Sequence, residues 1–177
     1  MHKTIKFQEM ISFEREVQFC PYCGHKISKI EENGRVHYYC SYCKLFIYKN
    51  PVPVVVVVVF NDAGEVLLIK RKEEPGKGKW ALPSGFVEIN EDPYEAASRE
   101  LYEETGIVIE KLTLINVYHQ KSRRYESVIV ISYMGFSSQE PRPGDDAEEA
   151  KFFAINELPE IPFESHTKAI KEALNLL

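Results

Sequence analysis

Residues 52–60 read VPVVVVVVF, an apolar run that is rich in β-branched side chains and has no polar position. A short run of this kind predicts a strand that is buried on both faces of its sheet. The turn sequence NDAG (residues 61–64) comes next, and the mainly apolar segment 65–71 predicts a second strand that returns beside the first. The pattern therefore places a sheet at the centre of the fold.

The rest of the chain supplies further strands and two helices. Residues 72–79 and 141–149 are charged and rich in turn residues, and they predict loops. A last helix is predicted over residues 165–177, with Ser165 as its N-cap. Together the segments predict an α/β fold in which helices cover both faces of a mixed sheet. The additional strands are predicted over residues 112–120, 127–136 and 151–155.

The first helix is predicted from the signals at its two ends. Asp92, Pro93 and Glu95 occupy the N-cap, first-turn and N3 positions of a capping box, in which the missing N–H of proline costs nothing. Gly106 stands where a residue of left-handed conformation would end the helix. The helix therefore lies between Asp92 and Gly106.

Three glutamates near the end of this helix are candidate metal ligands. Glu100 precedes Glu103 by three residues and Glu104 by four, so the carboxylates share one face and repel one another. A hard divalent cation, Mg²⁺ or Mn²⁺, would convert the repulsion into binding energy, because such cations prefer oxygen ligands. Arg99 adjoins Glu100 and can hold a carboxylate in place. The alternative is a solvated acidic face that binds nothing.

The segment that contains this helix resembles the Nudix box, the pattern G-x5-E-x7-R-E-U-x-E-E-x-G-U in which U is an apolar residue. Nudix enzymes have an α/β/α sandwich fold and hydrolyse a nucleoside diphosphate linked to another moiety, X. The resemblance implies this fold and this activity for residues 51–177. The matching residues are Gly85, Glu91, Arg99, Glu100, Leu101, Glu103, Glu104, Gly106 and Ile107, with no departure at a fixed position.

The resemblance also implies roles for the residues at the matching positions. Glu100 and Glu104 would bind Mg²⁺ or Mn²⁺, with the Ser84 carbonyl as a further ligand. Glu103 is either another ligand or a base that acts through water, and Arg99 orients the carboxylates. A cation held there would neutralise phosphate charge, orient the diphosphate and lower the pKa of bound water. A remaining carboxylate could then accept the proton of the attacking water.

Nudix enzymes commonly add an acidic residue that is distant from the box. We predict that Glu149, which shortly precedes an aromatic strand, completes the magnesium or manganese site. Asp145, Asp146 and Glu148 are the competing candidates. The alternative for all four residues is a solvated acidic loop.

Three further residues are predicted to bind substrate. Arg71 ends the second predicted strand, where related hydrolases often place a basic residue, and it could meet a phosphate. Trp80 and Tyr125 could stack on a base, although an aromatic side chain beside a strand is more often part of the core. Lys121, Arg123 and Arg124 are expected to form a solvated loop.

All four cysteines fall in two pairs, CPYC (residues 20–23) and CSYC (residues 40–43). The C-x2-C…C-x2-C spacing predicts a tetrahedral Zn²⁺ site, bound by Cys20, Cys23, Cys40 and Cys43, in a zinc ribbon over residues 20–48. Because a ribbon this small has no core of its own, the metal would stabilise it. A disulfide framework is the alternative, and it fits poorly with a chain that we expect in the reducing cytosol.

The composition and the first residues of the chain indicate the cell compartment and the classes of partner that we expect. Hydrophobic residues make up 44% of the 177-residue chain, which is enough for a core, yet no apolar stretch has the roughly eighteen residues of a membrane helix. The first residues lack the features of a signal peptide, so we expect a cytoplasmic protein with no membrane partner. The net charge of −5 argues against non-specific nucleic-acid binding. Residues 1–19 are expected to form an N-terminal arm, helical or extended.

The zinc ribbon narrows the substrate class. A ribbon ahead of a Nudix domain resembles the NADH pyrophosphatases, but their signature Ser-Gln-Pro-Trp-Pro-Phe-Pro is absent after the box. The segments FCPYCG (19–24), KNP (49–51) and ELPEIPF (157–163) resemble the FAD and ADP-ribose pyrophosphatases instead. This resemblance implies ADP-ribose or FAD as substrate and AMP as a product, and many Nudix enzymes are homodimers. The rival functions are an NADH pyrophosphatase, an enzyme that hydrolyses oxidised nucleoside triphosphates, and a non-catalytic ligand sensor whose ribbon binds nucleic acid.

Overall fold

The structure, a computed structural model, describes residues 16–122 and 124–177. Most of the predicted N-terminal arm, residues 1–15, and Arg123 therefore lie outside the described residues. Contacts within the chain define two compact units. The first ends at Pro51 and includes Lys121–Ser127, and the second comprises Val52–Gln120 and Val128–Leu177. The sequence predicts instead that Lys121–Ser127 belong to the domain over residues 51–177.

The first unit contains a small antiparallel sheet with the strand order β1-β2-β3. Its strands are β1 (Ser28–Glu32), β2 (Arg35–Cys40) and β3 (Leu45–Ile47). Asn33 and Gly34 connect β1 and β2, and their φ angles of 52° and 72° are of the sign that a type I′ hairpin turn requires.

The second unit is organised around a mixed seven-stranded sheet of order β10-β5-β4-β9-β8, in which β6 pairs with β5 and β7 with β4. Strand β4 is parallel to β9 and antiparallel to β5 and β7. The mixed sheet confirms the predicted fold class. The strands are β4 (Val52–Phe60), β5 (Val66–Arg71), β6 (Trp80–Ala81), β7 (Ser84–Phe86), β8 (Thr113–Ser122), β9 (Glu126–Phe136) and β10 (Ala147–Phe153).

Strand β4 forms the centre of the core, as its valine run predicted. Val55 and Val57 belong to one buried cluster with Leu101 of helix α1 (Pro93–Thr105). Side chains alternate along a strand, so the valines between them face the other side of the sheet, and they too are fully buried. Helix α2 (Glu164–Leu174) also packs against β4. Two buried faces and two helices agree with the α/β/α sandwich.

The predicted start of the last helix was wrong. Helix α2 begins at Glu164, after Phe163 as N-cap, and no side chain caps it. Ser165 lies in the first turn and is buried, and its carbonyl accepts a hydrogen bond from Tyr118 Oη at 2.7 Å. The serine therefore connects the helix to β8 instead of capping it. In the described ranges 16–122 and 124–177, neither helix has the length and apolar character needed to cross a membrane.

The last strand was also predicted too late in the chain. Strand β10 begins at Ala147, because its pairing with β5 continues beyond Lys151 as far as Arg71. A register shift between Ala147 and Glu149 interrupts the pairing. The end of the predicted acidic loop is therefore part of the sheet, which fixes the direction of its side chains.

Candidate active site

The two ends of α1 have the geometry that the sequence predicted. The side chain of Asp92 accepts hydrogen bonds from the N–H groups of Tyr94 and Glu95, and Glu95 accepts one from the N–H of Asp92. At the other end, Gly106 has a φ of 68° and donates its N–H to the Tyr102 carbonyl at 2.7 Å. These caps fix the helix register, and with it the direction of the glutamates that follow.

Arg99 holds three carboxylates of the box at once. Its Nε and Nη2 bind both oxygens of Glu91, at 2.7 and 2.9 Å. Its Nη1 donates to Glu100 at 2.8 Å and to Glu103 at 3.0 Å, and Nη2 also donates to the Phe86 carbonyl. The bonds from Arg99 lower the pKa of Glu91 to about 2, and the bonds to Glu91 raise the pKa of Arg99. These bonds join Arg99 to the carboxylates that the resemblance implies it orients.

Glu104 is the buried member of the cluster, with 2% of its surface exposed. Its Oε2 accepts a hydrogen bond from the backbone N–H of Ser84 at 2.9 Å. Burial raises its pKa to about 8, and the charge of Glu100 adds to the rise. Burial likewise raises the pKa of Glu100, against the opposing effect of Arg99. A divalent cation would stabilise both carboxylates in the ionised form, so the donor set fits Mg²⁺ or Mn²⁺.

Gly85 explains how the cluster approaches the sheet. A Cβ atom added there would lie 1.9 Å from Oε1 of Glu100, so the carboxylate occupies the space that a side chain at position 85 would need. Gly85 belongs to β7, where it pairs with Val55 of β4. The central strand therefore holds the backbone against which the glutamate packs.

Asp145 and Asp146, two of the competing acidic candidates, act electrostatically on this cluster. The charge of Asp145 raises the pKa of Glu100, and that of Asp146 raises the pKa of Glu104. The loop that carries these aspartates is joined to the end of α1 by a hydrogen bond from the Gly144 N–H to the Glu104 carbonyl, at 3.1 Å. Both aspartates were considered as alternatives, but nothing in the spacing showed that the loop returns to the helix.

Glu149, the preferred candidate, lies on the other face of the sheet. Leu67 of β5 packs against α1, and because side chains alternate along a strand, Lys70 faces away from that helix. Glu149 pairs with Lys70 across β5 and β10, and directly paired residues share a face. Its Oε1 accepts a hydrogen bond from Lys70 Nζ at 2.8 Å. Our prediction that Glu149 joins the metal site does not agree with this position.

Arg71 does lie on the face of β5 that carries Leu67, since the two residues are an even number of positions apart. Its charge opposes the rise in the pKa of Glu104, which indicates that the two groups are close. The Nε of Arg71 donates to the Pro75 carbonyl at 2.9 Å. The guanidinium is therefore positioned beside the acidic cluster, where a phosphate contact was predicted.

Trp80 and Tyr125, the two aromatic candidates, each contact neighbouring side chains. Trp80 pairs with Lys70 and shares its face, and the indole contacts Phe153 edge-on at 4.8 Å between ring centroids. Lys151 Nζ lies 4.7 Å from the centroid of the Trp80 ring. Tyr125 belongs to the first unit, where the guanidinium of Arg124 lies 5.4 Å from its ring centroid.

The four cysteines come together in the first unit and form no disulfide. Their Sγ atoms all lie within 4.8 Å of one another, with Cys20 and Cys43 at 3.9 Å and Cys23 and Cys40 at 3.6 Å. A tetrahedral zinc with bonds of about 2.3 Å would hold its sulfurs roughly 3.8 Å apart. The cluster is therefore compatible with Zn²⁺.

Comparisons with known proteins agree with this site and fold. Residues 50–174 match the family model of the NUDIX domain. The chain is 40% identical over 131 residues to the ADP-ribose pyrophosphatase of Methanocaldococcus jannaschii, which covers 73% of this chain and 76% of that protein. It is 35% identical over 106 residues to the NAD-capped RNA hydrolase NudC of Haemophilus influenzae, covering 59% of this chain but only 39% of that relative.

A solved structure supports the same conclusion. The crystal structure of a Nudix hydrolase from Nitrosomonas europaea superposes with a TM-score of 0.69 at 27% identity, over 88% of this chain and 89% of that one. The family match covers most of the chain, and the matching region contains the carboxylate cluster of α1. The chain therefore belongs to the Nudix family and is a Nudix hydrolase.

Proposed function

We propose that this Nudix hydrolase cleaves the diphosphate of ADP-ribose, and by the same chemistry that of FAD. Water would add to one phosphorus and displace the other phosphate, giving AMP and ribose 5-phosphate from ADP-ribose, or AMP and FMN from FAD. The observation that supports the chemistry is the buried carboxylate cluster held by Arg99, with Arg71 beside it. The 40% identity to an ADP-ribose pyrophosphatase supports the choice of substrate.

In this proposal Glu100, Glu104 and the Ser84 carbonyl hold Mg²⁺ or Mn²⁺. A bound cation would supply charge neutralisation at the diphosphate and a lower pKa for coordinated water. Glu103 is partly exposed and keeps one bond to Arg99, so it is suited either to join the ligands or to accept the proton of the attacking water.

Two further residues would act around that cation, Arg71 on the substrate and Asp146 on the metal ligand Glu104. Arg71 would contact a phosphate, because a guanidinium matches two phosphate oxygens at once. Asp146 would add negative charge beside Glu104 and strengthen its hold on the cation. Glu149 has no part in the mechanism, since Lys70 holds it on the other face of the sheet.

We also propose that Cys20, Cys23, Cys40 and Cys43 bind a structural Zn²⁺ in a ribbon over residues 20–48. Metal analysis should find one zinc per chain, and Cys40→Ser should lose it. Zinc content that is unchanged in Cys40→Ser would contradict the proposal. The domain boundary at residue 51, base stacking by Trp80 or Tyr125, and a homodimer remain predictions from the sequence.

The test is a comparison of ADP-ribose, FAD, NADH and 8-oxo-dGTP as substrates, each with Mg²⁺ and with Mn²⁺. We expect metal-dependent release of AMP from ADP-ribose or FAD, and its loss in Glu103→Gln. A preference for NADH would favour the substrate class of the NADH pyrophosphatases, and pyrophosphate release from 8-oxo-dGTP would favour the triphosphate hydrolases. A folded, zinc-loaded protein that acts on none of the four would contradict the proposal and favour a ligand sensor.

A further inference from the structure

Phe163, the residue before α2, lies against the arginine that we expect to bind phosphate. The guanidinium carbon of Arg71 is 5.7 Å from the centroid of the Phe163 ring. This distance is within the range of a cation–π contact. The ring is half-buried and packs on the small apolar cluster of Ile69, Ala81 and Ala147. These strand residues hold the ring in position.

A loop encloses the same pair from the other side. A Cβ atom added to Gly76 would lie 2.8 Å from Cζ of Phe163 and 3.8 Å from Cδ of Arg71, so the backbone of this glycine lies against the ring and near the arginine side chain. The neighbouring Pro75 carbonyl accepts the Nε–H of Arg71 at 2.9 Å. That bond engages the Nε–H and not the two Nη groups, which together form a fork that matches two phosphate oxygens.

The start of α2 is joined by a hydrogen bond to the segment that leads into β7. His166 is buried, and its ring centroid is 4.9 Å from that of Phe163. Its Nδ1 accepts a hydrogen bond from the Leu82 N–H at 3.1 Å. Leu82 lies two residues before Ser84, whose N–H binds Glu104. The phenyl ring is therefore supported by a histidine that also holds the segment leading to the carboxylate cluster.

We propose that Phe163 is a positioning residue for substrate binding. Its ring, together with the backbone of Gly76, fixes the guanidinium of Arg71 beside the acidic cluster, so that the Nη fork meets the substrate diphosphate without prior rearrangement. The proposal rests on the proposed function, because it requires that Arg71 contacts a phosphate. Phe163 acts through Arg71 and takes no part in the bond-breaking step.

The test separates the cation–π contact from simple packing. Phe163→Leu keeps an apolar side chain on Ile69 and Ala81 but removes the ring. We expect KM for ADP-ribose to rise about two- to fivefold, the size of a partly exposed cation–π contact, with kcat unchanged. Phe163→Tyr should restore the wild-type KM. Phe136→Leu, the same substitution at an exposed strand end of the same unit, is the matched control and should leave both constants unchanged.

A double-mutant cycle then asks whether Phe163 acts through Arg71. Arg71→Ala should raise KM, and adding Phe163→Leu to it should raise KM no further. Binding of ADP-ribose without Mg²⁺ or Mn²⁺, measured by calorimetry, should weaken in the same pattern without any contribution from turnover. Additive effects of the two substitutions, or no rescue by tyrosine, would overturn the inference.

Failure of the inference is distinguishable from failure of the proposed function. If the unsubstituted protein neither binds nor hydrolyses ADP-ribose, the proposed function is wrong. If it does both, and Phe163→Leu leaves KM and binding unchanged, the function stands and the role of Phe163 is refuted. If the protein is active and Arg71→Ala leaves KM unchanged, the inference is also refuted, because Arg71, the residue that Phe163 positions, would not bind the substrate.

Discussion

Two clusters of glutamates in the second unit differ in burial, in the cation that binds them and in the direction of their pKa shifts. The α1 cluster, Glu100, Glu103 and Glu104, is held by Arg99, and its innermost carboxylate is 2% exposed. In the β10 cluster, the side chains of Glu148 and Glu149 are 56% and 45% exposed. Both pair with Lys70, and Glu149 also lies 3.7 Å from Lys151 Nζ. Burial raises the pKa of carboxylates in the first cluster, whereas Lys70 lowers the pKa of Glu149 in the second.

The difference shows what makes a group of acids a metal site. In the β10 cluster a lysine already neutralises the charge, and water solvates the rest, so a cation would gain little. In the α1 cluster the arginine binds the outer carboxylates and leaves Glu104 to a single backbone N–H in a buried position. Removal from water without full neutralisation is the condition under which a divalent cation binds strongly.

The comparison is tested most strongly by removing one charge from each cluster. Glu104→Gln should lower kcat/KM for ADP-ribose about 10²- to 10³-fold, because a catalytic metal supplies several kcal/mol and each 1.4 kcal/mol is tenfold in rate. Glu149→Gln, the matched control, should keep wild-type activity. Equal losses in steady-state assays of the two variants would return Glu149 to the active site and remove the distinction between the clusters.

The pH dependence of stability should also differ between the clusters. The pKa of Glu104 is raised to about 8 in the folded protein, against about 4.3 for an unfolded glutamate. Because the pKa is raised in the folded protein, the contribution of Glu104 to the free energy of unfolding is fully present below about pH 4 and is lost as the pH rises through about 8.

In buffer without Mg²⁺ or Mn²⁺, the free energy of unfolding should therefore fall by about 2 kcal/mol or more between pH 5 and pH 8. Denaturant titrations of Glu104→Gln should show a smaller fall, and added Mg²⁺ should reduce the fall in the unsubstituted protein because the cation replaces the proton. Identical pH profiles for Glu104→Gln and the unsubstituted protein would show that burial does not raise the pKa of this carboxylate.

The α1 cluster could be predicted from the sequence because its geometry depends only on residues within one helix. Capping signals set the helix register, and the spacing within one helix then decides which carboxylates share a face. The position of Glu149 depends on the register between β5 and β10 and on a bulge between Ala147 and Glu149, and neither leaves a signal in the spacing. A shift of one residue moves a strand side chain to the opposite face, so proximity in the chain could not identify the right acid.

The same reasoning explains the other outcomes. The valine run predicted a central buried strand because burial on both faces demands apolar residues throughout. The start of α2 was missed because Ser165 is a good capping residue by type, yet its backbone is engaged by Tyr118 from β8. The contact between Phe163 and Arg71 joins residues far apart in the chain, and only the tertiary structure reveals it.

An intermediate effect is expected for the loop that returns to α1. Asp146→Asn should lower kcat/KM about tenfold, the usual cost of losing a group that supports a metal ligand. The variant should also need a higher Mg²⁺ concentration for half-maximal activity, because the charge beside Glu104 is removed. Glu148→Gln is the control, since it removes an acid two residues away that lies near Lys70 instead. If Glu148→Gln has the larger effect on the Mg²⁺ requirement, the assignment of the loop acid is wrong.

The smallest effect should come from the β10 pair itself. Lys70 Nζ and Glu149 lie 2.8 Å apart, but 27% of the lysine and 45% of the glutamate side chain are exposed, so water and salt weaken their attraction. The lowered pKa of Glu149 means that its contribution to stability is present above the pKa of an unfolded glutamate and is lost as the pH falls. Lys70→Met and Glu149→Gln should therefore change the unfolding midpoint only slightly at pH 7 and low salt, and not at all in 1 M NaCl. A large loss of activity in Lys70→Met, at unchanged stability, would mean that this lysine serves the substrate and that the second cluster is functional after all.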